Sequence, residues 1–283
     1  MLIKRILQFV CFFLLSFWVS SCTTAYYLEH HPDFAEDIFY RKVLSAEKKL
    51  DNDIDSVFLN ALKLRTQYTF AFVVEKADRL IEDDYDAGKI LYSQGLASFE
   101  KAISHGKKAM KFRHFQLQNM ADWMMEDVTF TEEDVPYLYW LGAAYGGAIS
   151  SSRGKSKWVI QLPIVGYLLE KALEIDPKWN SGAIHSAMIS YSMARIDLMG
   201  KNVEQATYHF EQAMIFSKGL DAGAKVSYAE NVLISLQKKD EFGLLLKEVL
   251  NMDLDNDKNL TLGNIIARER ALWLLSRTDE LFY

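Results

Sequence analysis

Between residues 56 and 82 the apolar positions Leu62, Phe70, Val73, Ala77 and Leu80 recur at helical spacing, and Asp83-Asp84 ends the run. A second helical pattern follows, with Gly95, Phe99 and Ala102 placing small, large and small residues along one face. The same alternation returns at Leu141, Gly142 and Tyr145, then at Ala206, Phe210 and Ala213, and more loosely at Phe242, Leu246 and Val249. Residues 262–281 form a last pattern, with Ile265, Ile266, Leu272 and Leu275 for packing and Arg268, Glu269, Arg270 and Arg277 for polar surface. No stretch carries the period of two that marks a strand. The pattern therefore predicts an all-α chain.

The small and large positions follow the spacing by which tetratricopeptide (TPR) repeats pack one helix against its partner. Gly142 allows close approach of two helices, Ala172 lies on the second, and Pro177 stops it. The equivalent positions Ala172, Ala213 and Val249 stand 41 and 36 residues apart. Long-helix repeats of this kind bury a continuous core only by stacking. The expected architecture is a TPR-like right-handed superhelix of about four helix pairs with a C-terminal capping helix.

The central repeat, residues 134–178, is unusual. Gly142 and Pro177 are separated by 35 residues where a standard repeat has about 24. The surplus falls between Ser150 and Pro163. Gly146-Gly147 and Ser150 to Ser152 are expected to weaken the helix, Arg153, Lys155 and Lys157 add positive charge, and Trp158-Val159-Ile160 is an apolar triplet. A bland surface loop has no need of that triplet, so Trp158 to Leu162 is expected to fold back over a cavity mouth or a neighbouring subunit.

The first 22 residues have the form of a bacterial export signal. Lys4 and Arg5 precede the apolar run Ile6 to Trp18, and Val19-Ser20-Ser21-Cys22 has the form of a lipobox. Residues 1–21 are thus expected to be a lipoprotein signal peptide, 22–55 the lipidated Cys22 and a tether, and 56–283 the helical domain. Cys11 would leave with the signal, so the mature chain has no internal disulfide. Loss of Lys4 and Arg5 takes the basic residues from 32 to 30 against 38 acids, a net charge of about −8. That balance argues against nucleic acid or an anionic membrane face as the principal partner.

Catalytic and metal motifs fail on inspection, and neither an enzyme nor a cofactor is expected. Gly154-Lys155-Ser156 imitates a phosphate loop, but Ile149 stands where its first glycine belongs and no strand precedes it. Asp51, Asp53 and Asp55 imitate the start of a calcium loop, but Leu62 occupies the position of its closing Glu. His30-His31, His105, His114, His185 and His209 lack zinc-site spacing, so no metal ligands are assigned. His185 is expected to make a helix-start hydrogen bond.

Shape and apolar lining remain. The first helix of a TPR unit faces the concave side, and on that register the central repeat offers Tyr139, Ala143 and Gly146, with Trp140 beside them. The next repeat offers Met188, Tyr191, Arg195 and Leu198, and Trp158 would close or line the passage. Taken singly, Tyr139, Met188 and Tyr191 also suit ordinary core. Aromatics, glycines and one cation together suit a cavity for an amphiphilic anion.

The chain also resembles the lipoprotein T-components of tripartite ATP-independent periplasmic (TRAP) transporters. The resemblance rests on Tyr68 to Asp78, Glu133 to Trp140, Lys171 to Pro177, Gly182 to His185, Ala206 to Ala213, and Arg270 to Arg277 with Leu281-Phe282. It implies a non-enzymatic, membrane-tethered homo-oligomer, such as a trimer, with an apolar pore or cavity. Its implied partners are a periplasmic solute-binding protein and a hydrophobic ligand. Lys201 departs from a second glycine often found after Met199-Gly200 in such proteins. Thr23 after Cys22 favours attachment to the outer membrane, facing the periplasm. The alternative is a TPR scaffold lipoprotein that binds only proteins during envelope assembly.

Overall fold

A computed structural model describes residues 32–52, 54–114, 124, 128–254 and 257–283. Cys22 and the signal lie outside these residues, as do residues 115–123 and 125–127. Among the described residues every regular element is helical, so the chain is all-α.

The first helix was not apparent as one in the sequence. The tether expected over residues 22–55 contains α1 (Pro32–Glu47), whose Ala35, Phe39, Val43 and Ala46 are buried at helical spacing. Phe39 meets Phe72 at 5.9 Å, and Glu47 accepts from Arg65 Nη2 at 2.7 Å.

α2 (Asp55–Tyr68) continues through a π-helical stretch (Thr69–Val74) into α3 (Glu75–Leu80). α4 (Tyr85–Arg113) then runs back for 29 residues, capped where Asp84 accepts from Ala87 N at 3.0 Å. Its face Gly88, Tyr92, Gly95, Phe99, Ala102, Gly106 and Met110 is buried, so the helix is held by one continuous apolar stripe. Asp134 accepts from Thr131 N at 2.9 Å in a capping box that starts α5 (Val135–Ser151). Helix α5 does not weaken at Gly146-Gly147. A Cβ on Gly147 would stand 2.3 Å from the Phe99 ring, so that glycine exists for close helix packing.

The surplus residues form a turn and the short α6 (Ser156–Val159), followed by α7 (Leu162–Ile175). Then come α8 (Trp179–Ala194), α9 (Asn202–Phe216) and α10 (Ala222–Tyr228), the last continuing into a second π-helical stretch (Ala229–Leu233). α11 (Lys239–Leu250), α12 (Thr261–Ser276) and α13 (Thr278–Leu281) complete the chain. The antiparallel pairs fit a helical-repeat arrangement. An inner row of α2, α5, α8, α10 and α12 pack in succession, with α4, α7, α9 and α11 outside.

The last helix reaches back to the first. Leu262 of α12 packs on the cluster of Phe39, Val43 and Phe72. Arg270 is not the surface residue its pattern suggested. Its guanidinium lies 2.9 Å from the carboxyls of Glu75 and Asp78 and 2.6 Å from Glu230. Glu75 directly follows the first π-helical stretch and Glu230 lies within the second. Arg277 approaches Glu82 at 3.7 Å, so two arginines seven apart meet two glutamates seven apart, one at the start of α3 and one in the turn after it. These long side chains, together with the Leu262 contact, join the ends of the array.

Candidate functional site

Helix α5 is the second of the five helices of the inner row, and most of its residues are buried. A stripe comprising Pro136, Tyr139, Trp140, Ala143 and Gly146 is only partly so. A Cβ on Gly146 would meet no atom within 4 Å, in contrast to its neighbour Gly147. Trp140 has Lys63 Nζ 5.8 Å over its ring, and Tyr139 packs edge-on against it at 5.0 Å. Tyr139 also lies 4.7 Å from Trp179 at the start of α8. The expected lining residues of the central repeat therefore share one aromatic, glycine-bearing stripe.

The others disperse. Trp158 is 6% exposed and 6.4 Å from Tyr145, and belongs to the main core; only Val159 and Ile160 of the triplet face outward. The indole filled a gap in the stacked repeats that linear sequence could not display. Met188 is 3% exposed in the same core. Tyr191 packs its hydroxyl so tightly on Gly166 that a Cβ there would stand 1.9 Å away. Arg195 is held by Asp197 at 2.6 Å and Glu170 at 3.1 Å, and Leu198 lies in the turn beyond α8.

Below the stripe lies a buried polar group. Burial, reinforced by the charge of Asp221, pushes the Tyr139 hydroxyl far above its ordinary pKa. Asp221 caps α10 by accepting from Ala224 N at 3.0 Å. Desolvation raises its carboxyl, while hydrogen bonds from Ala224, Ser186 and Gly223 hold it down.

His185, expected to bond the helix start, instead meets His209 Nδ1 to Nδ1 at 2.9 Å. Desolvation lowers His185 to about 4. Desolvation, with the charges of His185 and Arg195, lowers His209 to about 4 as well. Both rings are thus neutral near pH 7, one nitrogen donating and the other accepting. The backbone before His185 is left-handed at Asn180, Ser181 and Gly182, with φ of 47°, 58° and 86°. Only at Gly182 does a glycine absorb this, and there a Cβ would also press within 3.0 Å of Phe216.

Sequence reasoning missed three of these features. His209 continues the buried stripe of Ala206 and Ala213, which signals a desolvated imidazole in need of a partner. The Arg270 and Arg277 spacing was visible, but nothing in one dimension selected their acids. Asp221 carried an ordinary cap signal and no sign of its depth. Among the described residues no three His, Cys, Asp or Glu side chains group as metal ligands, and no helix is long and apolar enough to cross a membrane.

A match to the TRAP transporter T-component family extends over residues 42–282. The chain belongs to that family. T-components are accessory proteins of TRAP transporters, and the match takes in every helix from the middle of α1 to α13. A protein of Treponema pallidum (strain Nichols), described only as uncharacterized, is 23% identical over 226 residues, 78% of this T-component and 70% of its relative.

Proposed function

We propose that this T-component is a lipid-anchored, non-enzymatic accessory of a TRAP-type uptake system that binds a hydrophobic organic ligand and associates with the periplasmic solute-binding protein. Cys22 carries the anchor, residues 1–21 are removed, and the helical body faces the periplasm from the outer membrane. The body works as a homo-oligomer.

One observation carries the ligand reading. The α5 stripe Tyr139, Trp140, Ala143 and Gly146 is apolar, lies on the inner row, and has open space at Gly146. An apolar wall with a few polar groups at its edge suits a mainly hydrophobic molecule bearing one polar end. The join through Arg270 agrees with this reading, because it brings the two ends of the row together.

Native mass spectrometry of protein prepared without detergent tests the reading. The wild type is expected to carry an extractable apolar molecule, and Ala143→Trp to exclude it while leaving the circular dichroism unchanged. A wild type that is empty, and stays empty on mixing with candidate solute-binding proteins and lipid extracts, would overturn it and favour the scaffold alternative.

A further inference from the structure

We infer that the end of the array bearing the turns 152–161 and 195–201 is a membrane-contacting face, with Ile160, Ile196 and Met199 seated among lipid headgroups of an anionic bilayer surface. This inference rests on the lipid-anchor part of the proposed function.

The argument begins with which turns share an end. α1 runs antiparallel to α2 and α3, since Glu36 pairs with Lys76, Phe39 meets Phe72 and Glu47 bonds Arg65. The start of α1 therefore lies beside the end of α3. There Tyr92 bonds Asp78, and Arg153 stacks over the Tyr92 ring at 4.7 Å. The 152–161 turn is consequently at the end where α1 begins. Tyr191 against Gly166 and Arg195 against Glu170 set α8 antiparallel to α7, which brings the 195–201 turn to that end too.

Three apolar side chains of these two turns are presented to solvent, while Trp158 and Leu198 are not. Ile160 is 75% exposed, and Ile196 and Met199 are each 96% exposed. Met199 and Gly200 are both left-handed, a turn geometry that leaves the Met side chain on the outside. No packing reason accounts for three large aliphatic groups at adjoining tips. Their neighbours Arg153, Lys155, Lys157 and Lys201 are exposed cations, whereas Asp197 is neutralised by Arg195. Apolar tips ringed by Lys and Arg form the pattern that binds the interface of an anionic membrane. The acids Glu82, Asp83 and Asp84 occupy the α3–α4 turn of the same end, with Asp86 in the first turn of α4, so the cations are confined to the 152–161 and 195–201 turns.

Chain length brings the membrane to this face. Cys22 precedes Pro32 by ten residues, which reach at most about 33–36 Å when extended. An acyl anchor at Cys22 therefore holds the start of α1, and with it the basic apolar corner, within one short tether of the bilayer.

The test uses the full-length protein matured in a bacterial envelope and reconstituted into phosphatidylethanolamine–phosphatidylglycerol vesicles containing a headgroup-level nitroxide lipid. Cys11 and Cys22 are the natural cysteines; one leaves with the signal and the other is blocked by its lipid. A fluorophore at Ile160→Cys or Met199→Cys then reports one site, and Ile215→Cys, 62% exposed at the opposite end of α9, serves as control.

The expected result is a blue shift and quenching at 160 and 199, with neither at 215. Lys155→Glu with Lys157→Glu should weaken the quenching in anionic vesicles and not in phosphatidylcholine. Absence of quenching at 160 and 199, with the diacylglyceryl adduct present by mass spectrometry, would overturn the inference. Shielding that follows protein concentration instead of nitroxide lipid would overturn it in favour of a second copy or a protein partner. Loss of the adduct itself would instead overturn the anchor reading.

Discussion

Replacing Arg270 with Met tests the joining of the array at its two ends. Met retains much of the side-chain length and removes the positive charge that Glu75, Asp78 and Glu230 share. In the wild type these four side chains are 16–30% exposed and the guanidinium lies within 2.9 Å of all three carboxyls. Their attraction holds Arg270 well above its ordinary pKa, against desolvation. Removing one partner of a buried pair costs about 3–5 kcal/mol, and residual exposure places this case near ~3 kcal/mol. With a urea slope of about 2–3 kcal/mol/M, the unfolding midpoint should fall by about 1 M. Glu75 is already raised by burial. Without Arg270 it rises further, so acid should relieve the variant and narrow its gap from the wild type. Arg270→Lys keeps the charge but loses the fork, and should fall between the two. A loss below about 0.5 kcal/mol, the scale of an exposed pair, would refute the closure argument. So would a larger loss that acid leaves unchanged.

The neighbouring glycines of α5 should behave oppositely in thermal melts. Gly147→Ala should destabilise by about 1–3 kcal/mol by pressing on Phe99, whereas Gly146→Ala should gain about 0.5–1 kcal/mol of helix propensity. Trp158→Ala should cost about 3–5 kcal/mol as a core deletion; a cost under about 0.5 kcal/mol would return it to the surface loop. The histidine pair should make stability depend on pH. Both folded pKa values, about 4, lie below the ordinary 6.5, so the unfolded chain takes protons first. Stability is then fully present above 6.5 and is lost as pH falls toward 4, by about 3 kcal/mol for the first proton on the pair. Asp221 is shifted upward and contributes in the opposite sense. The difference between wild type and His209→Phe over this range, measured by urea unfolding, isolates the imidazoles; parallel pH profiles would refute the assignment.

Much of the architecture was legible in one dimension because helix packing is local and periodic. Gly95, Phe99, Ala102, Leu141, Gly142, Tyr145, Ala206, Ala213, Phe242, Leu246 and Val249 are all buried, as the repeat spacing requires. Each of these positions is specified by neighbours three or four residues away, and one buried stripe suffices to orient a helix. The candidate site was legible only where it lies on one helix: Tyr139, Ala143 and Gly146 share a face because 3.6 residues complete a turn.

Tertiary structure alone decided the rest. Periodicity marks a side chain as inward but cannot tell stacked core from an open interior, so Trp158 and Met188 went to the core while Gly146 met open space. Periodicity also selects no distant partner. His185 found His209, Arg270 found Glu75 across 195 residues, and α1 became a packed helix only because Phe72 was there to receive it. The sequence by itself determined an all-helical stack and its repeat faces. The meeting of its two ends, and the side chains buried where they meet, depended on distances that only the folded chain sets.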